Sequence, residues 1–146
     1  MKPNEIMQKL DGILSSVKTA VLATTDQTGN PHVRWMSPVI LAGQPNALYA
    51  VTSPHFTKTN QIGEHADVEW MVQSKDLREI INVRGKVNII DNPALKAEIL
   101  QSIGDRLNVF WKLSGEATDY VVLETVIEEA VYYLPMKPQK VRIKFA

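Results

Sequence analysis

The sequence predicts a mainly β, α+β fold built from antiparallel strands. Two observations carry this. Five to seven short β-branched segments arrive one after another as hairpins, and the helical segments between and around them are short. Consecutive hairpins favour antiparallel pairing over βαβ crossovers, which need a dozen or more residues per connection. Closing such a sheet into a barrel removes its exposed edges. Periodicity alone does not separate a barrel from an open sheet.

The chain has 146 residues and is read as one domain, 1–146, with an N-terminal helix in 1–17 and a C-terminal tail in 135–146. Residues 4–16 place Ile6, Leu10, Ile13, Leu14 and Val17 at helical spacing, with Asn4 as the expected N-cap. Residues 18–25 (KTAVLATT) read as a strand, Asp26–Asn30 as a turn around Gly29, and Pro31–Met36 as the returning strand. A short strand is expected at 39–42, hemmed by Pro38, Gly43 and Pro45, and another at 47–52. A short helix follows at 55–64, then a strand at 67–72. Residues 79–90 form a long strand with a bend or bulge at Gly85. A helix is expected over 91–102 with Pro93 in its first position, and a helical turn over 105–113. Strands at 120–124 and 129–134 complete the set, and 141–145 alternates in a way suited to pairing on a sheet edge.

Composition narrows the function classes. There are 16 basic and 16 acidic residues, so no general basic excess for nucleic acid. There is no cysteine, which removes disulfides, thiolate metal sites and thiol catalysis. His32, His55 and His65 lack metal-pair spacing, no GxSxG or GxGxxG is present, and the carboxylates are scattered. No run of 18 apolar residues exists, and Met1–Leu14 lacks the apolar region of a signal peptide. The expectation is a cytoplasmic protein with no metal, no nucleic-acid partner and no membrane partner.

Two segments combine strand, turn and positive charge. In Pro31–Pro38, alternation puts His32, Arg34 and Met36 on one face and Val33 and Trp35 on the other. The Val/Trp face suits the core, so Arg34 is expected on the opposite face, either solvated or turned to a phosphate or a carbonyl-rich ring. In the second segment, Tyr49–Ile62, a strand ends in the hydroxyls of Thr52 and Ser53 and a helix begins. Thr57, the free N–H groups of the helix start and Lys58 complete an anion site sized for one phosphate. Capping hydroxyls and a solvated lysine would give the same letters.

The order of segments is more specific than any one of them. A helix, then TAVLATTDQTGNPHVRWMSPV, ALYAVTSPHFTKTNQI, VEWMV and INVRGKVNII, resembles the pyridoxamine 5′-phosphate oxidase-like family over about residues 5–134. Within it the chain resembles the short general stress protein 26 branch. The resemblance implies a six-stranded antiparallel split β-barrel with short flanking helices. It also implies a homodimer holding flavin mononucleotide (FMN) at its interface. Arg34, Trp35, Met36 and Ser37 would lie along the isoalloxazine, through Arg34 and backbone groups. Thr52, Ser53, Thr57 and Lys58 would hold the phosphate, and Gln61 would sit beside the ring or ribityl chain. Trp70, Gln73 and Trp111 match, loosely, places that the family fills from the partner subunit. The function implied is an FMN-dependent oxidoreductase of unknown substrate and small-molecule redox partner. The tail Met136–Ile143 lacks the basic and aromatic signature of true pyridoxamine phosphate oxidases. The alternatives are a non-catalytic flavin-binding stress or sensor protein and a reductase using the deazaflavin F420.

Overall fold

A computed structural model describes residues 1–53, 66–104 and 120–145. Helix α1 (Pro3–Val17) opens the chain. Its N-cap is Lys2 rather than the expected Asn4. Pro3 brings its fixed φ to the first helical turn, where no N–H is needed, and the Lys2 N–H donates to the Glu5 carboxylate at 3.4 Å. Lys18, in a left-handed conformation, ends the helix by donating its N–H to the Leu14 carbonyl. Ile6, Leu10 and Leu14 form the buried stripe.

Strands β1 (Ala20–Thr25) and β2 (Pro31–Met36) form the expected hairpin. Asp26 fixes its turn by accepting from the Thr28 and Asn30 N–H groups, while Gly29 supplies a φ of +89°. Strands β3 (Ala47–Thr52), β4 (Ala66–Gln73) and β5 (Ile80–Ile90) follow. Helix α2 (Pro93–Ile103) starts at Asn92, whose side chain accepts from the Leu95 N–H, with Pro93 first in the helix as expected. Strands β6 (Val121–Tyr133) and β7 (Lys140–Lys144) end the chain.

The sheet runs β2-β1-β4-β5-β6-β3, with β7 pairing the second half of β6, and every pairing is antiparallel. Among the described residues it has seven strands, not six, because the tail pairs along β6. The arrangement is consistent with a split barrel. The two strands expected at 120–124 and 129–134 are one. A register shift beside Gly85 lets β6 absorb Glu128 as an extra residue, so the strand bulges there and continues. The strand expected at 39–42 is reduced to a single bridge between Val39 and Tyr49, since Pro38 and Pro45 supply no ladder donors. The helix expected at 55–64 and the helical turn at 105–113 lie outside the described residues.

The curled sheet encloses one core, with Leu22, Trp70, Val72, Ile81, Val83 and Leu123 inside and α1 covering it. A smaller core lies on the other face of β3 and β6, where Ile99 and Ile103 of α2 meet Tyr49 and Val122. The Glu79 carboxylate fastens α1 to the sheet, accepting from the Tyr132 hydroxyl at 2.7 Å and from Lys9 at 3.2 Å. These bonds, Tyr132 first, hold its pKa below the usual carboxylate value. A carboxylate depressed in the folded state stabilises it above the unfolded pKa, and that contribution is lost as pH falls through the folded value. Stability of the wild type should therefore fall more steeply than that of Glu79→Gln on acidification from about pH 5. Urea midpoints across that range, parallel for the two proteins, would remove the fastening role.

Candidate functional site

Strand β2 faces the opposite way from expectation. Val33 and Trp35 are 70% and 74% exposed, while Met36 is buried in the main core. The reason lies in β1. Paired residues of antiparallel strands share a face, and Ala20, Leu22 and Thr24 are the buried set of β1. Their partners Met36, Arg34 and His32 are thereby turned to the inner side. Arg34 is half-buried, and its guanidinium donates to the Leu22 carbonyl at 3.2 Å. Burial lowers its pKa from the ordinary arginine value. Ser37, next along the chain, is buried, and its Oγ has no hydrogen-bond partner among the described residues.

The β2 strand is also the end of the sheet, pairing with β1 alone among the described strands. Half of the N–H and C=O groups of such a strand point away from the ladder. At the other end of the sheet is β3, whose last residue Thr52 pairs with Val121, followed by Ser53. The Val39–Tyr49 bridge connects the continuation of β2 to β3 through two backbone hydrogen bonds of 2.7 and 2.9 Å. The Arg34 strand and the strand ending in Thr52 and Ser53 therefore meet across this bridge. Thr57, Lys58, Gln61 and Trp111 lie outside the described residues.

Trp70 does not lie on a surface. Its side chain is almost wholly buried, and its indole N–H donates to Thr125 Oγ1 at 2.9 Å within the barrel. An inward position on β4 between Val68 and Val72 gives it a core role, which corrects its assignment as a cofactor contact. Gln73, at the end of β4, is half-buried and meets Trp35 in a cleft of about 140 Å³. Met71, Lys75 and Leu77 also line this cleft. Sequence reading missed these three. The signal available was the Ser74-Lys75-Asp76 turn, whose hydroxyl and carboxylate set the path of the chain beyond β4.

The family model described as Pyridoxamine 5′-phosphate oxidase matches residues 6–133. Among solved structures, the chain is similar to a protein of Clostridium acetobutylicum related to general stress protein 26 of B. subtilis. Identity there is 16%, TM-score 0.72, with 99% of this chain and 97% of that one covered. It is also similar to a general stress FMN/FAD binding protein from Xanthomonas citri at 19% identity and TM-score 0.71, with 98% of each chain covered. A pyridoxamine 5′-phosphate oxidase-related, FMN binding protein of Nostoc punctiforme is 18% identical with TM-score 0.69, over 95% of this chain and 87% of that one. At these identities the likeness is one of fold. No curated protein matches the chain.

Proposed function

Because this chain belongs to the pyridoxamine 5′-phosphate oxidase family, we propose that it is an FMN-binding oxidoreductase acting as a homodimer in the cytoplasm. The observation that carries this reading is β2. It is a sheet-edge strand holding a half-buried arginine, followed by the buried Ser37 hydroxyl with no partner among the described residues. A polar edge of an isoalloxazine suits such a strand, which offers unladdered backbone groups along its length. The positive charge of Arg34 opposes protonation nearby and favours an anionic partner. Flavin, when bound, supplies the redox chemistry, and the protein supplies position and field. Thr52 and Ser53 close β3 beside this strand and suit the phosphate, together with Thr57 and Lys58.

The homodimer reading is supported by the open outer face of β2 and β1. Val33 and Trp35 stand exposed there, beside half-buried Val21 and Met71. A contiguous apolar face is normally covered by a partner. An obligate dimer would bury more than about 2,000 Å² in total. No helix among the described residues is long and apolar enough to cross a membrane.

The test is an absorbance titration of the purified protein with FMN and with riboflavin. The expected result is a flavin spectrum with FMN bound more tightly than riboflavin, and Lys58→Ala lowering FMN affinity by about 10- to 150-fold while riboflavin affinity hardly moves. That range follows from a charge-assisted contact of about 1.5–3 kcal/mol. No binding of either flavin overturns the reading. Bound FMN that no nicotinamide cofactor reduces would make the protein a non-catalytic flavin binder, and sedimentation as a monomer with FMN present would remove the dimer.

A further inference from the structure

We propose that the end of the sheet where the β4–β5 and β6–β7 turns emerge docks on an anionic lipid surface. Met136 and Leu77 enter the interface, and the lysines of the two turns meet the headgroup phosphates. The proposal is independent of the flavin reading and makes no use of the face carrying Val33 and Trp35.

The two turns leave the sheet side by side. Gln73 pairs with Ile80, Ile80 with Tyr133, and Tyr133 with Lys140. One row of paired residues therefore crosses the ends of β4, β5, β6 and β7, and the turns 74–79 and 134–139 project from it.

Both turns place a bulky apolar residue where the backbone favours glycine. In 134–137 the Lys137 N–H donates to the Leu134 carbonyl at 3.1 Å, Pro135 is the second residue, and Met136, the third, has a φ of 71°. That is the pattern of a type II turn, whose third residue is normally Gly or Asn. In 74–77 the Leu77 N–H donates to the Ser74 carbonyl at 2.9 Å, and Leu77 has a φ of 61°. A left-handed residue closing a hairpin turn is again normally glycine. Bulky side chains are disfavoured in this conformation, and here neither is repaid by packing within the chain. Met136 is 100% exposed and Leu77 55%, with Leu134 exposed beside Met136. Strain of this kind persists where a side chain serves a surface outside the chain.

Charge selects that surface. The whole chain carries 16 basic and 16 acidic residues, yet at this end Lys75, Arg78, Lys137 and Lys140 stand exposed against two acids. Both acids are engaged. Asp76 accepts from Ser74 Oγ at 2.7 Å and lies 3.7 Å from Arg78, and Glu79 is held by Tyr132 and Lys9. Lys75 and Lys137 make no ion pair among the described residues. A protein partner would need a hollow for each projecting tip, whereas a bilayer yields to both. Lysine stems lie along the apolar boundary while their heads reach the phosphates, and each adds attraction to an anionic leaflet. The expectation of no membrane partner rested on the lack of an apolar run, which attachment through turn tips does not need.

The probes are vesicles of phosphatidylcholine alone and of phosphatidylcholine mixed with phosphatidylglycerol, used in flotation of the full chain supplemented with FMN. The wild type should float with the anionic vesicles, hardly with the neutral ones, and less as salt rises. Met136→Gly should weaken binding about tenfold, as loss of one buried apolar side chain requires, and Lys137→Gln about fivefold. Leu77→Gly should act in the same direction as Met136→Gly, and Met136→Leu should retain binding. Glycine suits a positive φ, so the two glycine variants should unfold at no lower urea than the wild type, which separates lost binding from lost folding. Wild type that floats with neither preparation, the result a protein partner in place of lipid would give, overturns the proposal. So does equal flotation with both preparations, or a Met136→Gly protein that binds as the wild type does.

Discussion

Trp70→Ala is expected to cost about 3–5 kcal/mol of folding stability, the range for emptying an aromatic site in a packed core. The side chain is 1% exposed and lies among Leu22, Val72, Val83 and Leu123. Its loss also leaves the buried Thr125 hydroxyl without the indole donor that it meets at 2.9 Å, a further penalty of about 1 kcal/mol. At about 2–4 °C per kcal/mol for a chain of this size, the melting temperature should drop by roughly 8–24 °C. Trp70→Phe keeps most of the volume but not the hydrogen bond and should lie between. Trp35→Ala, at an exposed position, should change stability of the separated chain by no more than about 0.5 kcal/mol. Urea unfolding of the three variants checks this, and similar losses at Trp35 and Trp70 would contradict the division of the two tryptophans between surface and core.

Gly85→Ala is the second large effect, expected at about 3 kcal/mol or more of destabilisation. A Cβ at Gly85 would overlap the carbonyl of Val126 and stand 3.1 Å from Thr125 Cγ2. The obstruction is backbone, held by the β5–β6 ladder on both sides of the register shift, so it has nowhere to go. The same substitution at Gly12 should act in the opposite direction. Nothing lies within 4 Å of a Cβ there, and the residue sits inside α1. Replacing a helix-interior glycine by alanine gains about 0.5–1 kcal/mol. Thermal unfolding of the two variants side by side should show shifts of opposite sign. A fall in both, or a Gly85→Ala protein as stable as the wild type, would mean that the close approach of β5 and β6 is wrong.

Local chemistry made much of the fold legible. The Asp26–Asn30 turn announced the β1–β2 hairpin, Asn92-Pro93 announced α2, and Gly85 announced the irregularity in β5. Each depends on a residue whose own backbone or side chain dictates the geometry. The orientation of β2 was not legible, because both of its faces carry apolar residues. Only the partner strand decides, and β1 puts Leu22 inward. The expected gap at 125–128 does not exist, because the structure turns Glu128 into the extra residue of a bulge and the strand continues through it. At the candidate site, Arg34 and the Thr52-Ser53 end of β3 were visible as charge and hydroxyls at strand positions. Lys75 and Leu77 were not, since their relation to Trp35 is made by the fold across forty residues of sequence separation.

The circuit of strands is fastened unevenly. From β2 through β1, β4, β5 and β6 to β3, neighbours are joined by ladders, from three residue pairs between β1 and β4 to eleven between β5 and β6. Among the described residues, the return from β3 to the continuation of β2 is two hydrogen bonds between Val39 and Tyr49. Local openings of a native protein begin where the fewest buried backbone bonds must break, well below the energy of global unfolding. The ring therefore behaves as a clasp: five welded joints and one catch. Releasing the catch widens the gap between the Arg34 strand and the Thr52-Ser53 strand end without disturbing the core beneath α1.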